Sequence, residues 1–146
     1  MDRIELLQLW SDQWKEGNWV PSWPDSLAGL SAKEAAWSPQ PGCHCIWQEV
    51  VHATYWRRVT LDRMEGGLAP DDQESETLQF AMPADTSEQA WAAAVAALRQ
   101  SQEAIAAAIK DETRDIKRIP YHLIHDAYHL GRITQLRAMQ GTPPKF

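Results

Sequence analysis

Clusters of glycine and proline divide this chain into four long stretches with a helical period, and no stretch shows the strict alternation of a half-buried strand. The first stretch runs from about Asp2 to Lys15, where Ile4, Leu7 and then Trp10 or Trp14 recur at helical spacing, and Gly17-Asn18 stops it. The second runs from about His44 to Met64 and ends before Gly66-Gly67. The third begins near Thr86 and is alanine-rich to Ile109, which raises its helix propensity. The fourth starts around Pro120, a favoured first-turn residue, and runs to about Gln140 before Gly141-Thr-Pro-Pro144. Four amphipathic helices predict an all-α fold, a four-helix bundle filling one domain over residues 1–146.

The connectors refine that expectation. Residues 18–42 carry prolines at 21, 24, 39 and 41 and tryptophans at 19, 23 and 37, so they read as a structured connector. Ser31-Ala-Lys-Glu34 inside it is a capping box and predicts a short helical turn. Thr86 is the expected cap of the third helix, with Gln89 answering it. The stretch from Gly66 to Asp85 is polar, contains prolines and shows no helical period. Fully extended, about twenty residues could reach more than 60 Å. That length permits a crossover that leaves helices two and three parallel, whereas an up-down-up-down bundle needs only a short loop there.

At 44% apolar residues the chain can build a core. Twenty acidic against fourteen basic residues, with a formal net charge of −6 and no basic run, argue against nucleic acid as a partner. No stretch approaches the length of a membrane span, and the opening residues lack the apolar segment of a secretory signal. Cys43 and Cys45, two residues apart, are poorly placed for a disulfide. These features lead to the expectation of a reducing, cytoplasmic location.

The residues with the clearest chemistry are histidines. His125 and His129, four apart on one helix, point the same way at roughly 6 Å, a good bite for one metal ion. His122, one turn before His125, makes His122/His125 an alternative pair; His122 and His129 are about 10.5 Å apart along the axis. On the second helix Cys45, Glu49, His52, Trp56 and Val59 share a face, so His52 is the candidate third arm. Three imidazoles would leave one or more positions open on a divalent ion, as a catalytic site requires.

Several stretches resemble the DinB/YfiT-like superfamily of metal-binding four-helix bundles: Leu27-Ala-Gly-Leu-Ser31, Trp37-Ser-Pro-Gln-Pro-Gly42, Ile46-Trp-Gln-Glu-Val-Val-His52, and His125-Asp-Ala-Tyr-His129-Leu-Gly-Arg-Ile133-Thr-Gln-Leu-Arg137. The resemblance covers about Leu27 to Pro144, with Gly131-Arg132-Ile133 where the family usually has Gly-Gln-Ile. It implies that His52, His125 and His129 are metal ligands, that His122 is a neighbour of the site, and that the bundle runs up-down-down-up. It also implies nickel or zinc, with iron or manganese as alternatives, and a homodimer. Some members of the family are thiol S-transferases or thiol-dependent isomerases.

Two function classes follow. The first is a metal-dependent enzyme acting on a small molecule, such as a low-molecular-weight thiol, in the manner of a transferase or a related hydrolase or isomerase. The second is a non-enzymatic, stress-related bundle that a structural metal stabilises. Glu49, one turn before His52, is a weak catalytic candidate; a supporting carboxylate or a fourth ligand are its other readings. Cys45 reads as a small buried residue and His44 as a cap or surface residue. Arg132 and Arg137 read as ion-pairing or anion-steering groups.

Overall fold

A computed structural model describes Met1 to Pro144, so the last two residues of the expected 1–146 domain lie outside the described residues. These residues hold seven helices and no strand: α1 Arg3–Lys15, α2 Trp23–Leu27, α3 Ala32–Ala35, α4 Ile46–Met64, α5 Asp72–Leu78, α6 Glu88–Lys110 and α7 Ile119–Met139. Among them no helix is long and apolar enough to cross a membrane.

Local chemistry places most of the helix ends. Asp2 caps α1 and Ser31 caps α3, each in a reciprocal capping box with Glu5 and Glu34. α6 is capped one residue later than expected: Ser87, not Thr86, accepts the Ala90 N–H. After α1 the chain reverses at Gly17, with φ +71°. A Cβ there would sit 1.9 Å from the Val20 carbonyl oxygen, so only glycine fits. Two short helices were not expected. α2 is started by the Ser22 hydroxyl and Pro24, and α5 interrupts the crossover, capped by Asp71. α5 shows no helical period in the sequence because none of its residues is buried, which leaves it without an apolar stripe.

The four long helices pack on one another, with α4 against α6 and α7, and α1 against α6 and α7. The direction of each pairing can be read from named residues. Trp47 meets Trp91, and Arg57 meets Ser101 ten residues further along both helices, so α4 and α6 run the same way. Glu49 meets His129 and Thr60 meets His122, so α7 opposes α4. Arg3 reaches the Ile109 carbonyl at 2.9 Å, while Trp10 and Gln102 exchange two hydrogen bonds of 3.0 Å. α1 therefore opposes α6.

Apolar side chains form two clusters. One holds Trp23, Trp47, Val50, Trp91, Leu98, Leu130 and Ile133. The other, toward the opposite end of the helices, holds Leu6, Trp10, Ile105, Ile109 and Ile119. Each such fully buried side chain contributes roughly 1.5–3 kcal/mol. Between them lies a polar layer in which Arg57 ion-pairs with Asp126, both side chains about 1% exposed. The Arg57 guanidinium also donates to Ser101 and lies 4.8 Å from the Trp10 ring.

The crossover folds back along α4. Gln79 accepts from the Trp56 indole at 3.1 Å, the Phe80 carbonyl accepts from Gln48 at 3.1 Å, and Met82 lies 3.9 Å from Cys45. The connector thus retraces α4 from its C-terminal end to its N-terminal end before α6 begins, which makes a parallel α4/α6 pair geometrically possible.

Candidate metal centre

His52 from α4 and His125 and His129 from α7 bring their imidazoles together between the two helices. Ring nitrogens of the three all lie within 4.8 Å of one another. The Nε2 of His125 is 2.9 Å from that of His52 and 3.1 Å from that of His129. Nitrogens bound at about 2.1 Å to one divalent ion are themselves about 3.0–3.4 Å apart. The donor set therefore fits an ion, and these three residues could hold one.

Glu49 determines how His129 presents itself. Its carboxylate is fully buried; one oxygen accepts from His129 Nδ1 and the other from Arg132 Nε at 2.8 Å. A carboxylate only accepts, so Nδ1 carries the proton and Nε2 turns a lone pair toward the other histidines. Burial by itself would raise the Glu49 pKa. The hydrogen bond from His129 and the nearby Arg132 guanidinium outweigh burial and hold the carboxyl below its ordinary value. With its two oxygens engaged by His129 Nδ1 and Arg132 Nε, Glu49 buttresses the His129 imidazole from the side away from its Nε2.

His52 is held differently. Its Nδ1 is buried with no protein partner, and its ring stacks on Phe80 at 4.1 Å between centroids. The opposite face of the contact is occupied by His44, 3.7 Å from Phe80. Burial, and then the neighbouring His129 and His125, push the His52 pKa down to about 3; burial also lowers His125. His52 and His125 are therefore neutral at physiological pH, the state a metal ligand requires.

One member of the triad faces a cleft: about 250 Å³ of space, bounded by Trp56, Tyr121, His122 and His125, reaches His125 from solvent. His122 does not join the triad. It is buried, its Nε2 lies 2.7 Å from the Thr60 hydroxyl, and burial lowers its pKa to about 4.

Among the weaker candidates, Cys45 is buried against Met82, and burial raises its thiol pKa, so it behaves as an apolar residue. His44 neither caps a helix nor lies on open surface; it packs on Phe80. Arg137 does not face the centre: it donates to the Ser26 and Ala28 carbonyls at the end of α2 and to Thr142. Phe80, which stacks on His52, was not among the expected site residues. The available signal was an isolated aromatic, one of only two phenylalanines in the chain, inside a polar connector.

A three-histidine centre between facing helices, backed by a buried carboxylate and with a cleft at His125, defines a helical protein with a candidate metal site. The sequence pattern of the DinB superfamily matches residues 22–139, and the chain belongs to that superfamily. No curated protein and no solved structure matches it.

Proposed function

We propose that His52, His125 and His129 bind a divalent ion, nickel or zinc before iron or manganese, and that the protein is a metal-dependent enzyme for a small molecule. The reading includes an up-down-down-up four-helix bundle, supported by the α4/α6, α4/α7 and α1/α6 pairings. The single observation that carries the enzymatic reading is the cleft at His125, because a structural ion is normally closed by four protein ligands.

When bound, such an ion lowers the pKa of a thiol or water at its open position. The chain's own residues do the rest. Glu49 keeps the His129 proton on Nδ1, Arg132 holds Glu49, and Phe80 fixes the plane of His52. Trp56 and Tyr121 wall the cleft with apolar ring surface. The reaction that suits this arrangement is thiol S-transfer, with a low-molecular-weight thiol as one substrate. Its sulfur forms a bond to an electrophilic carbon, the leaving group departs with its electron pair, and the thiol proton goes to solvent.

A cytoplasmic homodimer belongs to the same reading; the exposed Ile124 and Tyr128 on α7 offer it apolar surface. Elemental analysis of the purified protein beside His52→Ala and His129→Ala variants tests the centre. The wild type is expected to carry about one divalent ion per chain and the variants far less. Full metal content in both variants rejects the triad. Sedimentation velocity tests the dimer.

A further inference from the structure

Beyond the cleft at His125 lies a second cleft, of about 550 Å³, at the start of α7. Tyr121 lines both, and the buried Thr60 of the second cleft is hydrogen-bonded to His122 of the first, so the two are neighbours along one wall. Their chemistry differs. The cleft at His125 is bounded mainly by aromatic rings. The second presents Arg63, Lys117 and Arg118 against one carboxylate, Asp115, which lies 3.9 Å from Lys117. Among the described residues neither Arg63 nor Arg118 makes an ion pair or a side-chain hydrogen bond. Two other arginines near this end are already engaged: Arg114 pairs with Glu65 and Asp111, and Arg3 donates to the Ile109 and Arg114 carbonyls.

Two further facts set this concavity apart. The chain carries a formal charge of −6, so a recess with three cations and one anion runs against the prevailing sign. The first backbone donors of α7 are also already used. The N–H groups of Ile119 and Tyr121 bond to Ile116 and Arg118, and Pro120 has none, so recognition falls to the side-chain cations. Arg118 precedes His125 by seven residues, about 10.5 Å along the helix.

We infer that the second cleft binds the anionic end of the substrate whose reacting end lies at the histidine centre. The substrate class is then a small molecule with a metal-seeking head, an apolar middle packed on Trp56 and Tyr121, and a carboxylate tail between Arg63 and Arg118. This inference rests on the metal reading above for the head, but not for the tail.

The test separates the two. In metal-free protein, hexanoate and hexan-1-ol are titrated while the amide signals of Tyr121 and His122 are followed by NMR. The carboxylate is expected to bind about tenfold tighter at low salt, an advantage that shrinks in about 0.5 M NaCl. It should disappear in Arg63→Gln/Arg118→Gln and persist in Arg58→Gln/Arg99→Gln, which removes the same charge elsewhere. In nickel-loaded protein, 6-mercaptohexanoate should exceed 6-mercaptohexan-1-ol by a similar factor, again only with Arg63 and Arg118 intact. Nickel that fails to bind sinks the metal reading, while the hexanoate titration still decides the tail site. Equal binding of acid and alcohol, no hexanoate binding up to about 50 mM, or equal losses in the two double variants would overturn the inference.

Discussion

Arg57→Met is the substitution whose consequence the structure defines most sharply. Arg57 is 0% exposed and its partner Asp126 1% exposed. The guanidinium also donates to Ser101 and faces the Trp10 and Trp23 rings. Methionine fills much of the volume but leaves the Asp126 carboxylate buried without its cation. Removing one member of a buried pair typically costs about 3–5 kcal/mol. Against a total stability of about 5–15 kcal/mol, that is a large fraction. At a urea dependence of about 2 kcal/mol per molar, the midpoint should fall by about 2 M. Adding Asp126→Leu removes the orphaned charge, and the double variant should recover to within about 1 kcal/mol of wild type or exceed it. Urea titrations followed by far-ultraviolet circular dichroism, on chelator-treated protein, give the full double-variant cycle. A loss below about 1 kcal/mol in Arg57→Met would refute the buried pair. A double variant no more stable than the single one would show that packing, not charge, dominates.

Three other outcomes follow from the same geometry. The folded His122 pKa of about 4 lies below its ordinary 6.5, so the unfolded chain takes up the proton first as pH falls. The stability this group contributes is complete above pH 6.5 and is lost toward pH 4, by about 1.4 kcal/mol per unit. Metal-free His122→Gln should therefore lose about 2 kcal/mol less than wild type between pH 6.5 and 5; identical urea midpoint shifts would contradict this. Glu49→Gln should weaken metal affinity about 10- to 100-fold with the fold intact, as measured by competition with a chromophoric chelator. Unchanged affinity would mean that the His129 proton is placed by something else. Arg137→Met strips donors from the Ser26, Ala28 and Thr142 carbonyls and should cost about 2–3 kcal/mol; a loss under about 0.5 kcal/mol would assign those carbonyls other partners.

Helix positions were readable because caps, glycines and proline at a helix start act within about four residues. Asp2, Ser31, Gly17 and Pro120 each do their work on the adjacent backbone. The misses have two causes, one an absence of burial and the other contacts between residues distant in the chain. α5 buries nothing, so its helix left no periodic trace. Phe80 matters because it is sandwiched by His44 and His52, contacts made across 36 and 28 residues. Arg137 looked like a surface cation, yet it is buried among α2 carbonyls more than a hundred positions away.

By itself the sequence determined an all-helical chain, a connector long enough to cross over, and a pair of histidines one turn apart on a shared helix face. These rest on helical periodicity and on chemistry between near neighbours. Only the tertiary structure decided that His52 meets that pair, that Glu49 serves His129 while His122 turns to Thr60, and that a basic cleft adjoins an aromatic one. Each of these depends on which face α4 turns toward α7. That orientation is set by packing around the Arg57–Asp126 layer and the two apolar clusters, summed over the whole chain.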